Sequence, residues 1–327
     1  MARNRIIYQS QAIAVSNAAP AAATFTAVTI EGVQSCNYGV DISREDVMQY
    51  GDLGAIDRVI TDAPSVTMDF SFYVGGFASA AQEPSHLAAL ISGAYVGGTT
   101  TVLVGLDSTE GSDYSSSAAT VSLASGSLSS LSTEASVGGI PTTSLSFEGT
   151  DLVYDTTAVA APATDLKVTT QTGVIVNLND TTISNPAAAD DSKGITNFQT
   201  VSVGFDLGSE TLRKLGDSVS PYYYAKVPSL PATANMSFEG LAVNRGIKLV
   251  VDNLKASADD GANALVGGKF SPSIQFGGSK YILQNATLDS TNFSSSLGDN
   301  VTMDAAASAS VGAGTGTATA QLIIQTA

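Results

Sequence analysis

His86 is the only histidine of this chain and Cys36 its only cysteine. A nucleophilic triad needs a base oriented against a Ser or Cys, and His86 has no such partner in a recognisable spacing. One histidine also removes multi-histidine metal sites, and one cysteine removes an intrachain disulfide. Cys36 lies in a strand-like run and reads as a small buried hydrophobe. The acid pairs Glu45/Asp46 and Asp259/Asp260 are read as helix capping and loop solvation, because nothing announces the cleft that paired catalytic carboxylates require. Gly312, Gly314 and Gly316 resemble half a dinucleotide fingerprint, but no helix follows them. Gly277, Gly278, Ser279 and Lys280 lack phosphate-loop spacing and read as a hairpin turn. Tyr222, Tyr223 and Tyr224 form the one aromatic concentration. Base stacking is accompanied by cations, and only Lys226 is near, so these rings read as core or subunit contact. No catalytic, cofactor-binding or metal-ligating residue is expected, and the chain reads as a non-enzyme.

Composition narrows the classes further. The chain has 327 residues, 14 basic against 30 acidic, and a net charge of −16. Duplex DNA carries about one charge per 1.7 Å of axis, so attraction to it is excluded, while passage of nucleic acid along a non-adhesive surface is not. Charged residues are only 13% of the chain, about half the usual ~25%. A surface this poor in charge suits burial in an assembly. Polar residues interrupt the segment behind the basic start, and no apolar stretch reaches the ~20 residues that span a bilayer. Synthesis and folding in the cytoplasm, with no membrane partner, are therefore expected.

The elements that must position any surface come from a repeat. Gln199 follows Gln34 by 165 positions, as Gly216 follows Gly51. A period this long implies two copies of a domain-sized unit, since solenoid repeats are roughly 20–50 residues. In the first copy Tyr38, Val40 and Ile42 alternate as one face of a strand. Ser43 then reads as a helix N-cap with Asp46 in the capping-box position. Arg44 and Glu45 fill the first turn, Val47 and Tyr50 share a face, and Gly51 supplies a left-handed stop. The second copy repeats this with Ser209 in place of Arg44, Glu210 of Glu45, Leu212 of Val47, Leu215 of Tyr50 and Gly216 of Gly51. Both helices would be about two turns long and would need a sheet to pack against.

Strands are predicted over residues 66–72 and 233–238, entered through Pro64 and Pro231, and over 101–107, paired loosely with 248–254. Leu87, Leu90 and Ile91 have the i, i+3, i+4 spacing of an extra helix over residues 84–94. The Ser/Gly-rich stretch 111–139 reads as a flexible loop or weak hairpin. Residues 280–288, 292–297 and 300–311 read as short antiparallel strands. The organisation is an N-terminal arm, 1–29, ordered only on assembly; a first copy, 30–195, with the insertion near 111–139; and a second copy, 196–327.

Residues 32–35, the alternating strand, residues 44–51 and the Pro64 strand, together with Gln199, Leu212, Leu215, Gly216 and the Pro231 strand, resemble the tail tube proteins of long-tailed bacteriophages. The resemblance covers most of the chain outside the arm and the Ser-rich stretch, which depart from the family's pattern. It implies a mainly β fold of two tandem antiparallel β-sandwich or barrel domains, each with a short flanking α-helix. It also implies a structural virion protein forming stacked rings around a DNA conduit. Rings in most of that family hold six domain copies, so a duplicated chain implies a trimer with pseudo-sixfold symmetry, or else a hexamer. Partners implied are further copies of the chain, the tape measure and tail terminator proteins, and double-stranded DNA passing without sequence readout. Two other readings are a distal-tail or baseplate hub ring and a Ser/Thr-rich adhesin or capsid decoration protein.

Overall fold

The structure is a computed structural model and describes residues 11–18, 25–62, 64–77, 82–95, 99–107, 116–117, 119–149, 151–156, 158–162, 174–177, 198–212, 225–242, 271–295, 300–311 and 322–326. Its strands run β1 (Gln11–Ala18), β2 (Phe25–Ile30), β3 (Val33–Asp41), β4 (Arg44–Met48), β5 (Ala55–Ile60) and β6 (Ser65–Tyr73). Helix α1 (Glu83–Tyr95) comes next, before β7 (Thr99–Leu106), β8 (Ser116–Ser117), β9 (Ala119–Ser136), β10 (Thr142–Gly149), β11 (Asp151–Asp155), β12 (Val159–Ala160) and β13 (Val174–Asn177). After these come β14 (Phe198–Asp206), β15 (Ser209–Leu212), β16 (Ala225–Pro228), β17 (Ala232–Leu241), β18 (Ser273–Phe276), β19 (Ser279–Leu283), β20 (Thr287–Ser294), β21 (Thr302–Val311) and β22 (Leu322–Thr326).

The fold is mainly β, and every pairing in it is antiparallel. The largest sheet contains the path β3-β6-β10-β9-β14-β17-β21-β20. Its outward positions are mostly Ser, Thr, Asn and acids, while its inward positions are mostly Val, Met, Phe, Leu and Ala. That period-two pattern is what a sheet with one covered and one open face requires. The open edges of this path do not meet, so among the described residues the sheet is not a closed barrel.

Strand β9 is the hinge of the architecture. Its first half pairs with β7 and β11, and its second half with β10 and β14. Expected as a loop or weak hairpin, the Ser-rich stretch instead contributes an 18-residue strand, Ala119–Ser136, at the centre of the sheet. A bulge at Ser129 shifts its register against β10. A bulge moves the following side chains to the opposite face, so Leu128 and Leu131, an odd number of residues apart, are both buried. That break in alternation hid the strand among small residues.

The expected arm is also partly built in. β1 pairs with β2 and β7, and Ile13 and Val15 are buried in the main core. The order expected only on assembly is therefore already present for Gln11–Ala18 and Phe25–Ile30.

The inward face is covered by α1 and by the sheet β13-β18-β19-β22. The predicted helix is present, and Leu87, Leu90 and Ile91 are buried. Phe70 stacks on Phe147 with centroids 5.7 Å apart, a geometry worth about 0.5–1.5 kcal/mol beyond burial itself. Tyr281 of β19 is fully buried, with its hydroxyl 3.3 Å from Thr133 Oγ1 of β9. That contact ties the covering sheet to the large one.

Neither expected repeat helix is found among the described residues. β4 pairs with β5, and β15 with β16, so the described part of each segment is a strand of an antiparallel pair. Backbone pairing across a hairpin satisfies groups that a two-turn helix would leave to water. Ser43 is not an N-cap: its carbonyl accepts from Thr61 N at 3.1 Å, where the hairpin leaves the sheet. Asp46 does not cap but meets Arg58 Nε at 2.8 Å across the hairpin. Gly51 does adopt positive φ, +97°, as the third residue of a turn in which Asp52 N donates to Gln49 O. Type II turns need that conformation at that position. Residues 248–254, the three tyrosines, and Gly312 to Gly316 lie outside the described residues, as do Leu215 and Gly216.

Candidate assembly surface

The repeat found in the sequence recurs as hydrogen-bond register. Across the first four strands one row reads Cys36, Phe70, Leu145, Leu131. The corresponding row of the last four reads Val201, Phe238, Ala305, Thr291. Both sets have the same spatial order, with a returning hairpin as the third and fourth strands. Irregularities fall at matching points. Gln34 is the extra residue between Val33 and Ser35, and Gln199 the extra residue between Phe198 and Thr200. Ser129 in β9 is matched by Asp289 in β20. Even the excursions correspond, since β4–β5 interrupts β3–β6 where β15–β16 interrupts β14–β17.

The sequence motif residues thus have structural roles. Gln34 turns back on its own loop, donating from Nε2 to Gly32 O at 3.0 Å. Gln199 offers its carbonyl to Val137 N at 2.8 Å, which closes one end of the joint between the two four-strand units. Arg44, Glu45 and Val47 pair with Ile60, Val59 and Asp57 in the first excursion. Tyr50 stands fully exposed at its tip. In the second excursion Ser209 Oγ donates to Glu148 Oε2 of β10 at 2.7 Å, while Glu210 and Leu212 pair with Val227 and Ala225.

The joint is the pairing of β9 with β14: Ala135 faces Val201, Thr133 faces Val203, and Leu131 faces Phe205. Leu207 N then donates to Ser129 O at 2.8 Å, so the bulged residue of β9 is used to seal the other end. At the outside of the path, β3 pairs only with β6, and β20 only with β21, among the described residues. Sequence reading did not single out these edges, although the placement of Tyr38, Val40 and Ile42 in the first copy against Val203, Phe205 and Leu207 in the second was visible.

The open face is chemically uniform. The eight strands of the path contain no Lys, Arg or His and carry Asp41, Asp69, Glu134, Glu148, Asp206, Glu239, Asp289 and Asp304. Hydroxyls pair across it, with Ser35 to Ser71 at 2.7 Å, Ser202 to Ser237 at 2.6 Å and Ser294 to Thr302 at 2.6 Å. Glu239 and Asp304 sit directly opposite one another, an arrangement that costs stability in a sheet. Such a face repels polyanions and offers phosphate no fixed partner.

Chemistry elsewhere is muted. Burial, reinforced by Asp69, pushes the Cys36 thiol up to about 11, so it is a poor nucleophile at neutral pH. Glu83 opens α1 fully buried, and burial pushes its carboxyl up to about 7 although Gly75 N and Phe77 N donate to Oε2. Burial lowers the pKa of His86, which packs against the Phe77 ring at 5.3 Å. Glu83 and His86 tie α1 to the loop before it.

No protein-family model and no curated protein sequence matches this chain.

Proposed function

We propose that the protein is a structural subunit that assembles into rings stacked as a tube, as the phage tail tube resemblance implies. In this reading the acidic face of the eight-strand path lines a conduit for double-stranded DNA. The observation that carries the reading is the recurrence of one four-strand unit in one continuous sheet whose two outermost strands have no second partner among the described residues. Edge strands left like this invite pairing with another chain, and a module already joined once to its own copy has a surface suited to being joined again.

The register supports closure. The row that starts at Cys36 arrives on β14 at Phe205, four residues beyond Val201, the equivalent of Cys36. A stagger of four residues over four strands, at about 3.3 Å per residue and 4.8 Å per strand, corresponds to a strand tilt of roughly 35°, at the edge of the range of closed barrels. That ratio is the same for any number of chains. For three chains, and so about 24 strands, the same spacings give a backbone-to-backbone diameter of roughly 45 Å. Within a Debye length of about 8–10 Å of such a wall, phosphate is repelled, so a duplex slides without adhering.

The remaining parts fit the same use. The β4–β5 excursion exposes Met48, Tyr50, Leu53 and Ile56, apolar surface that a solitary monomer would rarely carry as a group. In a tube it would be covered by a neighbouring chain. Tape measure and terminator proteins are the further partners of this reading, and the virion its location.

Electron microscopy of the purified protein, across concentration and salt, tests it. Rings or tubes with threefold or pseudo-sixfold symmetry are expected; monomers under every condition would refute the proposal.

A further inference from the structure

We infer that β20 of one copy pairs with β3 of the next in the register already written inside each chain at the joint between β9 and β14. The inference rests on the ring reading and deepens it by naming the contact residue by residue. The partner is a second copy of this chain.

The argument is a substitution of equivalents. β14 corresponds to β3, and β9 to β20, by the shared registers and shared bulges described above. Replacing each member of the internal joint by its equivalent puts Cys36 opposite Ser295, Asn37 opposite Ser294, Tyr38 opposite Phe293 and Val40 opposite Thr291. The joint's sealing bond, Leu207 N to Ser129 O, becomes Ile42 N to Asp289 O. The bulges therefore fall where they can serve the same purpose.

Burial gives an independent reason. Val203, Phe205 and Leu207 are 0%, 1% and 2% exposed inside the joint, whereas their equivalents Tyr38, Val40 and Ile42 are 39%, 46% and 38% exposed. On the other edge Thr133 is buried, while its equivalent Phe293 is exposed. Apolar side chains thus line the inward face of both open edges, at the positions that pairing covers in the internal copy. Residues with that placement have no use on a permanently free edge. Neither edge carries a Lys or Pro within the strand, two of the usual devices that discourage strand addition.

The contact is head to tail, so β3 never meets β3 and β20 never meets β20. An interface of this kind closes into a ring when its rotation permits.

The test is engineered cross-linking in a Cys36→Ser background. Protein carrying Asn37→Cys is mixed with protein carrying Ser294→Cys under mild oxidant and run on a denaturing, non-reducing gel. Opposed residues in an antiparallel pair have Cα atoms about 4.5–5.5 Å apart, within disulfide reach. The expected result is a mixed dimer as the main product, at least tenfold above that formed by Asn37→Cys with Asn292→Cys. The doubly substituted chain, Asn37→Cys with Ser294→Cys, should yield a ladder ending in a closed ring. Micrographs of the same samples separate the two failures. Rings without the 37–294 bond, or with preferential bonding to position 292, overturn the register and leave the ring reading standing. Absence of any ring overturns both, and homotypic 37–37 or 294–294 dimers overturn the head-to-tail contact. As a second check, Phe293→Asp should leave thermal unfolding of the monomer unchanged and abolish rings; intact rings would overturn the contact.

Discussion

The first strands of the two four-strand units, β3 and β14, have the same length, the same bulge and the same interrupting hairpin, yet among the described residues only one of them is covered on both sides. β14 lies between β9 and β17, and its inward side chains are core. Among the described residues β3 has β6 alone, and its inward side chains Tyr38 and Val40 reach solvent. Composition follows the difference only weakly, since both strands carry apolar residues at the inward positions. What distinguishes core from surface here is the neighbour and not the strand. A position that looks like an exposed hydrophobe in one copy is a core residue in the other, which makes the chain its own control.

The sharpest way to break that comparison is to place the same charge at the same position twice. Val203→Asp buries an unpaired carboxylate and is expected to cost about 4 kcal/mol or more, measured as a lowered denaturant midpoint of the monomer. Tyr38→Asp, its equivalent on the open edge, should stay within about 0.5 kcal/mol of the parent while preventing assembly in light scattering. Equal costs at the two sites would mean that the edge is already part of a finished core.

A smaller effect probes the helix that covers the first unit. The Glu83 carboxyl sits at about 7 in the folded protein against an ordinary 4.5. Protonated Glu83 therefore favours the folded state, and its contribution is complete below about pH 4.5 and lost as pH rises to about 7. The shift corresponds to roughly 3 kcal/mol. Glu83→Gln keeps an oxygen for the Gly75 and Phe77 amides but cannot titrate. The difference in unfolding midpoint between parent and variant should change over that window and level off above it. A constant difference from pH 4 to 8 would rule out this role.

The smallest expected effect lies on the open face. Glu239→Gln removes the like charge facing Asp304 and should stabilise the monomer by about 0.2–1 kcal/mol, read from chemical denaturation. A loss of stability would show that the carboxylate has a favourable partner. The acids would then no longer look like a feature retained at a cost to stability.

Much of the fold was legible where periodicity was unbroken. Residues 66–72 and 233–238 alternate cleanly and are strands, the apolar run within 101–107 is a strand buried at consecutive positions, and Leu87, Leu90 and Ile91 marked α1 correctly. The correspondence of Gln34 with Gln199 was visible, although their role as bulged residues was not. Ser43 to Gly51 failed because a serine followed three residues later by an acid describes a capping box equally well as the rim of a hairpin. Nothing local revealed that Arg58 would meet Asp46. β9 failed for another reason, since its bulge put Leu128 and Leu131 out of phase and left only composition to judge by. The assembly surface was the least legible part. Edges are defined by pairing with distant strands, and no window of sequence reports that Tyr38 lacks the cover that Val203 enjoys.

The extra residues at Gln34 and Gln199 also have a geometric consequence. Each bulge bends its strand and increases local twist, and because both occupy the same row of the unit, the bend recurs at a constant interval. A ribbon creased at regular steps curls along a constant arc, whereas one creased irregularly wanders. Deleting either glutamine would unbalance the curl while leaving each side chain on the far side of the crease with its old neighbours.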